Sequence, residues 1–239
     1  MLVHLRKECE ECGMDDAKRL LEAVLNHVPF DGWTQASMDA AANDCGMEAA
    51  QARALYPRGP VDMALAYHRQ GDAAMVAKLQ AADLNNMRFR DRIAAGVRFR
   101  LEDADKELVR RGTTLFALPQ HAGDGAGAIW GTCDAIWAAL GDTSQDVNWY
   151  TKRATLSGVY TATVLYWLGD DSEGHAATWA FLDRRIDNVM GIEKFKAKAR
   201  DSKLAQAFMA GPGKILDGIK APGASRGNYP GTWGNGETK

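Results

Sequence analysis

The chain has 239 residues, 46% of them hydrophobic, with 29 Lys+Arg against 31 Asp+Glu and a formal net charge of −2. That length supplies one large or two small domains able to bury roughly 70% of the unfolded surface. The near balance of charge excludes a protein that holds nucleic acid through overall basicity, and a mean hydropathy of −0.33 excludes one built mainly of membrane spans.

Residues 1–14 show no apolar run ahead of a small-residue cleavage site, so neither secretion nor a membrane span is expected. Cys9 and Cys12 have metal-like spacing, but no second ligand pair follows and Glu8, Glu10 and Glu11 disfavour thiolates. With Cys45 and Cys133 they read as reduced thiols of a cytoplasmic protein, with no metal or cofactor.

From Asp15, the spacing of Leu20, Leu21, Val24, Leu25 and Val28 predicts a helix that ends near Pro29. Gly32-Trp33-Thr34 opens a second helix to about Asn43, and Ala42 four residues before Gly46 suits the tight turn of a helix-turn-helix. A third helix runs from Glu48 to Leu55 and completes a helix-turn-helix-like module over residues 15–57. This module is similar to that of TetR-type regulators, yet its groove-entering helix offers only Gln51 and Arg53 for base contacts. A folding unit that binds no nucleic acid is the expectation; a TetR-type regulator with a hydrophobic effector is the alternative.

Residues 58–190 form the second expected unit. Pro60 starts a long helix to about Ala81, and Phe89, Ile93, Val97 and Leu101 then stripe another whose Arg88, Arg92, Arg98 and Arg100 are expected to face solvent. The stretch from Leu118 to Gly127 lacks both phosphate-loop fingerprints and reads as a connection between helices. After it, Ile129, Cys133, Ile136, Trp137 and Leu140 mark one helix face. Asp146 is placed to cap a helix from Val147 to Leu168, Gly169 ends that helix, and Ser172 caps the next, striped by Trp179, Leu182, Ile186, Val189 and Met190.

Between Glu193 and Lys220, seven bases face three acids, with Leu204, Phe208, Ile215 and Ile219 at roughly helical spacing. Residues 191–220 are therefore expected to be an amphipathic membrane-contact segment, with Lys203, Leu204, Phe208, Ile215 and Ile219 at the lipid surface. Residues 221–239, rich in Gly and Pro, are expected to be a disordered tail. His4, His27, His68, His121 and His175 are scattered, and no nucleophile, base or metal motif is present, so no catalytic residue is expected.

One stretch carries a resemblance. Gly141-Asp-Thr-Ser-Gln-Asp146-Val-Asn-Trp149-Tyr150-Thr-Lys152-Arg153 resembles the signature of the ninth coenzyme Q biosynthesis protein family, a Gly-Asp-x-Ser-x-Asp turn leading into Asn-Trp-Tyr-Thr-Arg-Arg. Phe30 to Thr34, Leu118-Pro119, Asp134 with Trp137, and Thr178-Trp179-x-Phe181-Leu182 with Arg185 agree in order. The resemblance implies an all-α, TetR-like homodimer without DNA binding that holds an isoprenoid lipid or ubiquinone intermediate and presents it to a di-iron hydroxylase. It implies a partner patch at Asp146, Trp149 and Tyr150, with Lys152 and Arg153 beside it, and a site at the inner face of a bacterial membrane. Leu118, Ile129, Cys133, Ile136, Leu156, Tyr160 and Val164 are apolar residues that such a fold would gather around the lipid.

Overall fold

The computed structural model describes residues 15–200, with side chains to 189, and residues 220–222. The described residues are helical and connected by short turns. Helix α1 covers 15–24, α2 Val28–Asp31, α3 Gln35–Asp44, α4 Ala49–Leu55, α5 Pro60–Ala81, α6 Phe89–Glu102 and α7 Lys106–Phe116. They are followed by α8 Ala122–Ala139, α9 Val147–Leu168, a 3₁₀ turn Glu173–His175 and α10 Ala176–Arg200.

Local sequence sets these boundaries. The first helix stops at residue 24, before the expected end, and Pro29 instead lies in the first turn of α2, where its missing N–H costs no helical bond. Thr34 caps α3 by accepting the Ser37 N–H. That helix closes with a Schellman turn: Met47 N–H reaches Ala42 C=O at 2.8 Å, Gly46 N–H reaches Asn43 C=O at 3.0 Å, and Gly46 takes the left-handed φ of 63° that the turn needs. Asp105 caps α7 and Asp146 caps α9, the latter by accepting Asn148 N–H.

Two cores result. Leu20, Val24, Val28, Met38, Ala41 and Met63 unite α1 to α5 with Leu108 of α7. Met75, Val97, Leu101, Ile136, Leu156, Tyr160, Trp167 and Leu182 unite α5, α6, α8, α9 and α10. Helix α5 serves both, packing on α8 and α6, while α9 lies between α8 and α10.

Two expectations are corrected. Arg100 does not face solvent: it is 5% exposed and paired with Asp72. The Gly-rich stretch is no mere connection, because α8 begins at Ala122 and carries Gly123, Gly125 and Gly127 within it. Gly125 is required by contact, since a Cβ there would lie 2.7 Å from Phe116 Cβ on α7.

Candidate functional site

Where the two cores meet they leave a cavity of about 430 Å³. Trp33, Ala64 and Leu108 close it from the N-terminal core, and Leu101, Tyr160 and Val164 close it from the other. Small residues make the space: Gly112 and Ala117 on or beside α7, and Ala122, Gly125, Ala126 and Ala128 on α8, leave volume where larger side chains would have joined the cores. The size falls in the usual range of small-molecule pockets.

One part of the wall is polar. Tyr67, His68, Arg100 and Tyr160 line the cavity. Arg100 Nε donates to Asp72 Oδ1 at 2.7 Å, and its Nη2 donates to His68 Nδ1 at 3.3 Å and to His68 C=O at 3.2 Å. A guanidinium only donates, so His68 Nδ1 is the acceptor and Nε2 carries the proton. That Nε2–H reaches Thr132 Oγ1 at 2.8 Å, and Thr132 donates in turn to Asp72 Oδ1 at 2.9 Å. The guanidinium lies against Gly71, where a Cβ would sit 2.7 Å from its central carbon.

Charge therefore cancels within this cluster. Burial lowers the His68 pKa, with Arg100 adding to the effect and Asp72 opposing it, so the ring is held neutral. The Tyr160 phenol, buried among the same groups, is pushed up to about 12 by desolvation. Behind it, burial pushes the Cys133 thiol up to about 11, which leaves it an inert packing group.

The seven expected lining residues separate into three sets. Ile129, Tyr160 and Val164 reach the cavity wall. Cys133, Ile136 and Leu156 are buried in the core behind it and do not line it. Leu118 stands 43% exposed in the turn between α7 and α8. Trp33, His68 and Arg100 are not among the residues expected from the sequence at a site, where Arg100 reads as solvent-facing and His68 as one of five scattered histidines. The signal that joins the polar pair is an arginine next to Leu101 of the α6 stripe that meets Gly71 and Asp72 on α5.

The signature turn forms a second site at the far end of α8. Asp142, 3% exposed on its side chain, accepts from Ser144 Oγ at 2.8 Å, Lys152 Nζ at 2.7 Å and Arg153 Nη1 at 2.9 Å. Burial alone would raise its pKa, but these donors outweigh that and hold the carboxyl well below the usual range. Arg153 also binds Asp134 Oδ1 at 2.6 Å and the Trp149 carbonyl at 3.1 Å, and its guanidinium lies 4.0 Å from the Trp149 ring centre. Arg153, at 3% exposed, is thus an internal brace rather than a surface contact. Trp137 donates to the Lys152 carbonyl at 3.3 Å, so the Asp134 and Trp137 pair meets the signature in space.

Outside that brace, Trp130, Trp149 and Tyr150 form an aromatic group with ring centres 4.8–6.4 Å apart, both Trp149 and Tyr150 being partly exposed. Asp146 is exposed and occupied in capping. Residues 220–222 return to this place: Ala221 N–H donates to the Gln145 carbonyl at 3.0 Å and Tyr150 Oη to the Lys220 carbonyl at 3.3 Å. Ala221, assigned from sequence to a disordered tail, is 7% exposed.

Lys203, Leu204, Phe208, Ile215 and Ile219 lie outside the described residues, as do Cys9 and Cys12. Among the described residues no helix is long and apolar enough to cross a membrane, and no cluster of three or more His, Cys, Asp or Glu could hold a metal ion. On α4, the Gln51 amide is already bonded to Asp16 at 3.0 Å, while Arg53 is exposed.

The COQ9 family profile matches residues 122–193. The chain is 31% identical over 194 residues to the ubiquinone biosynthesis protein COQ9, mitochondrial, of Drosophila melanogaster, which covers 75% of this chain and 59% of that protein. With the protein of the same name from Rattus norvegicus it shares 29% identity over 202 residues, 80% of this chain and 64% of the relative. The chain thus spans less than two thirds of these curated relatives. Its fold is similar to that of the TetR transcriptional regulator from Nitrosomonas europaea ATCC 19718, with a TM-score of 0.59 over 72% of this chain and 97% of that one, at 14% identity. An identity that low speaks to fold alone.

Proposed function

The chain is related to the COQ9 family through residues 122–193, and from that premise we propose that it is a non-catalytic, lipid-binding accessory protein of ubiquinone biosynthesis. It holds an isoprenoid quinone intermediate in the cavity between the two cores and presents it to a pathway hydroxylase. The observation that carries this reading is the cavity itself: about 430 Å³ with apolar walls and one polar cluster at Tyr67, His68, Arg100 and Tyr160. An apolar tail gains burial against those walls. Because Arg100 and Asp72 neutralise each other and His68 is uncharged, the polar end suits a neutral hydrogen-bonding ring better than a phosphate or carboxylate head, whose charge would be desolvated without a counterion.

The remaining parts of the proposal follow the family resemblance. Trp149 and Tyr150 are the anchors at which the hydroxylase docks. The protein acts as a homodimer at the inner face of a bacterial membrane, reached through residues 191–220. A TetR-type regulator would share the fold, but the α4 helix has one free base and a Gln already engaged by Asp16, which is poor equipment for phosphate neutralisation and base readout.

Calorimetric titration of the purified chain with a short-chain ubiquinone tests the central step. We expect saturable binding, weakened at least tenfold by Val164→Trp, which fills the cavity; absence of binding in the unaltered chain rejects the proposal. Salt-dependent duplex DNA binding at nanomolar protein would favour the regulator instead.

A further inference from the structure

Among the described residues, the C-terminal region meets the signature turn through one peptide group. The Lys220 carbonyl and the Ala221 N–H belong to the same peptide unit, and in a trans peptide they point to opposite sides. Tyr150 Oη holds the carbonyl at 3.3 Å and the Gln145 carbonyl holds the N–H at 3.0 Å, so a single peptide plane is clamped from both edges. Among the described residues of this segment, the small Ala221 side chain is buried, with Lys220 and Pro222 exposed on either side. Pro222 favours an extended backbone at Ala221, which keeps both hydrogen-bonding edges available to the clamp.

The clamp is built on rigid parts. Gln145 lies between Asp142, fixed by Lys152 and Arg153, and Asp146, the α9 cap, so its carbonyl direction is set by the buried brace. Tyr150 is held edge-on to Trp149 at 4.8 Å. A surface that recognises one main-chain unit plus a methyl-sized side chain fits a short extended peptide, and here that peptide is the chain's own.

We infer that Lys220–Pro222 is a latch that covers the Tyr150 face of the patch and that an incoming protein must displace. This rests on the proposal that the patch docks a hydroxylase. The latch lowers apparent affinity by the fraction of molecules in which the clamp is open. With ten closed molecules for each open one, removing it strengthens docking about tenfold.

The test uses the full chain and a purified di-iron ubiquinone-pathway hydroxylase as the probe. Ala221→Asp, too large and charged for the seat, is expected to lower the Kd for the hydroxylase about tenfold; an unchanged or raised Kd overturns the latch. In the absence of any partner, amide hydrogen exchange at Ala221 is expected to be at least tenfold slower than in a free peptide of residues 216–226 and to quicken in Tyr150→Phe. Exchange as fast as in the free peptide also overturns it. A Trp149→Ala chain that binds the hydroxylase normally would instead overturn the docking role of the patch, and the exchange measurement then decides the latch alone.

Discussion

At the scale of single residues, two polar clusters are assembled from distant positions, one around His68 and Arg100 and one around Asp142 and Arg153. His68 was visible only as one of five scattered histidines, because nothing local announces that Arg100, thirty-two positions on, donates to its ring. Its lowered pKa has a direct consequence. The unfolded chain takes up a proton near pH 6.5 while the folded chain resists it, so the contribution of a neutral His68 is complete above that pH. It is lost progressively as pH falls below 6.5 toward the lowered folded value. Urea denaturation at pH 7.5 and 5.5 should show a drop in stability that is smaller in His68→Gln; equal drops would mean that His68 is not the titrating group. A second loss belongs below about pH 4, where Asp142, depressed by Lys152, Arg153 and Ser144, begins to protonate in the unfolded but not the folded chain.

The resemblance puts Arg153 beside a partner patch, whereas its side chain is buried within the brace. Arginine can brace Asp142 and Asp134 and stack on Trp149 at once, which a linear motif cannot distinguish from surface exposure. Arg153→Met leaves Asp142 buried with Lys152 as its remaining cation and should cost about 3 kcal/mol in chemical denaturation. A cost near zero would return Arg153 to the surface.

At the scale of elements, most of the fold was legible because the signals were local. Asp146 as a cap, Gly46 in its turn and Pro60 at the start of α5 each act within a few residues. The failures came where tertiary packing decided. The glycines of α8 oppose helix by propensity, roughly 1 kcal/mol each relative to Ala, and the helix forms there because Gly125 admits α7 to close contact. Two substitutions separate these effects. Gly127→Ala, with open space around the added Cβ, should raise stability by up to about 1 kcal/mol. Gly125→Ala gains the same propensity but drives a Cβ to 2.7 Å from Phe116, and the overpacking should win by roughly 1–3 kcal/mol. Thermal melts of the pair check the order; a stabilised Gly125→Ala would show that α7 can withdraw freely.

At the scale of the whole molecule, the cavity is the product of two cores that share α5 yet do not merge. Of the seven apolar residues that the family resemblance would gather around a lipid, Ile129, Tyr160 and Val164 stand in its wall. Cys133, Ile136 and Leu156 have the same spacing and fill the core instead. Helical periodicity identifies the inward face of a helix, not whether another side chain or a void lies opposite. Trp33, on the other core, enters the wall because its indole N–H is fixed to the Leu108 carbonyl at 3.3 Å, a contact between positions seventy-five apart.

What occupies that space in the cell decides the function. Mass spectrometry of lipid extracted from the freshly purified chain, set beside Val164→Trp purified in the same way, tests it most directly. The prediction is a prenylated phenol or quinone in near-stoichiometric amount from the unaltered chain and its loss from Val164→Trp, both proteins melting at similar temperatures. Phospholipid or fatty acid alone, or equal lipid content in the two proteins, would contradict it.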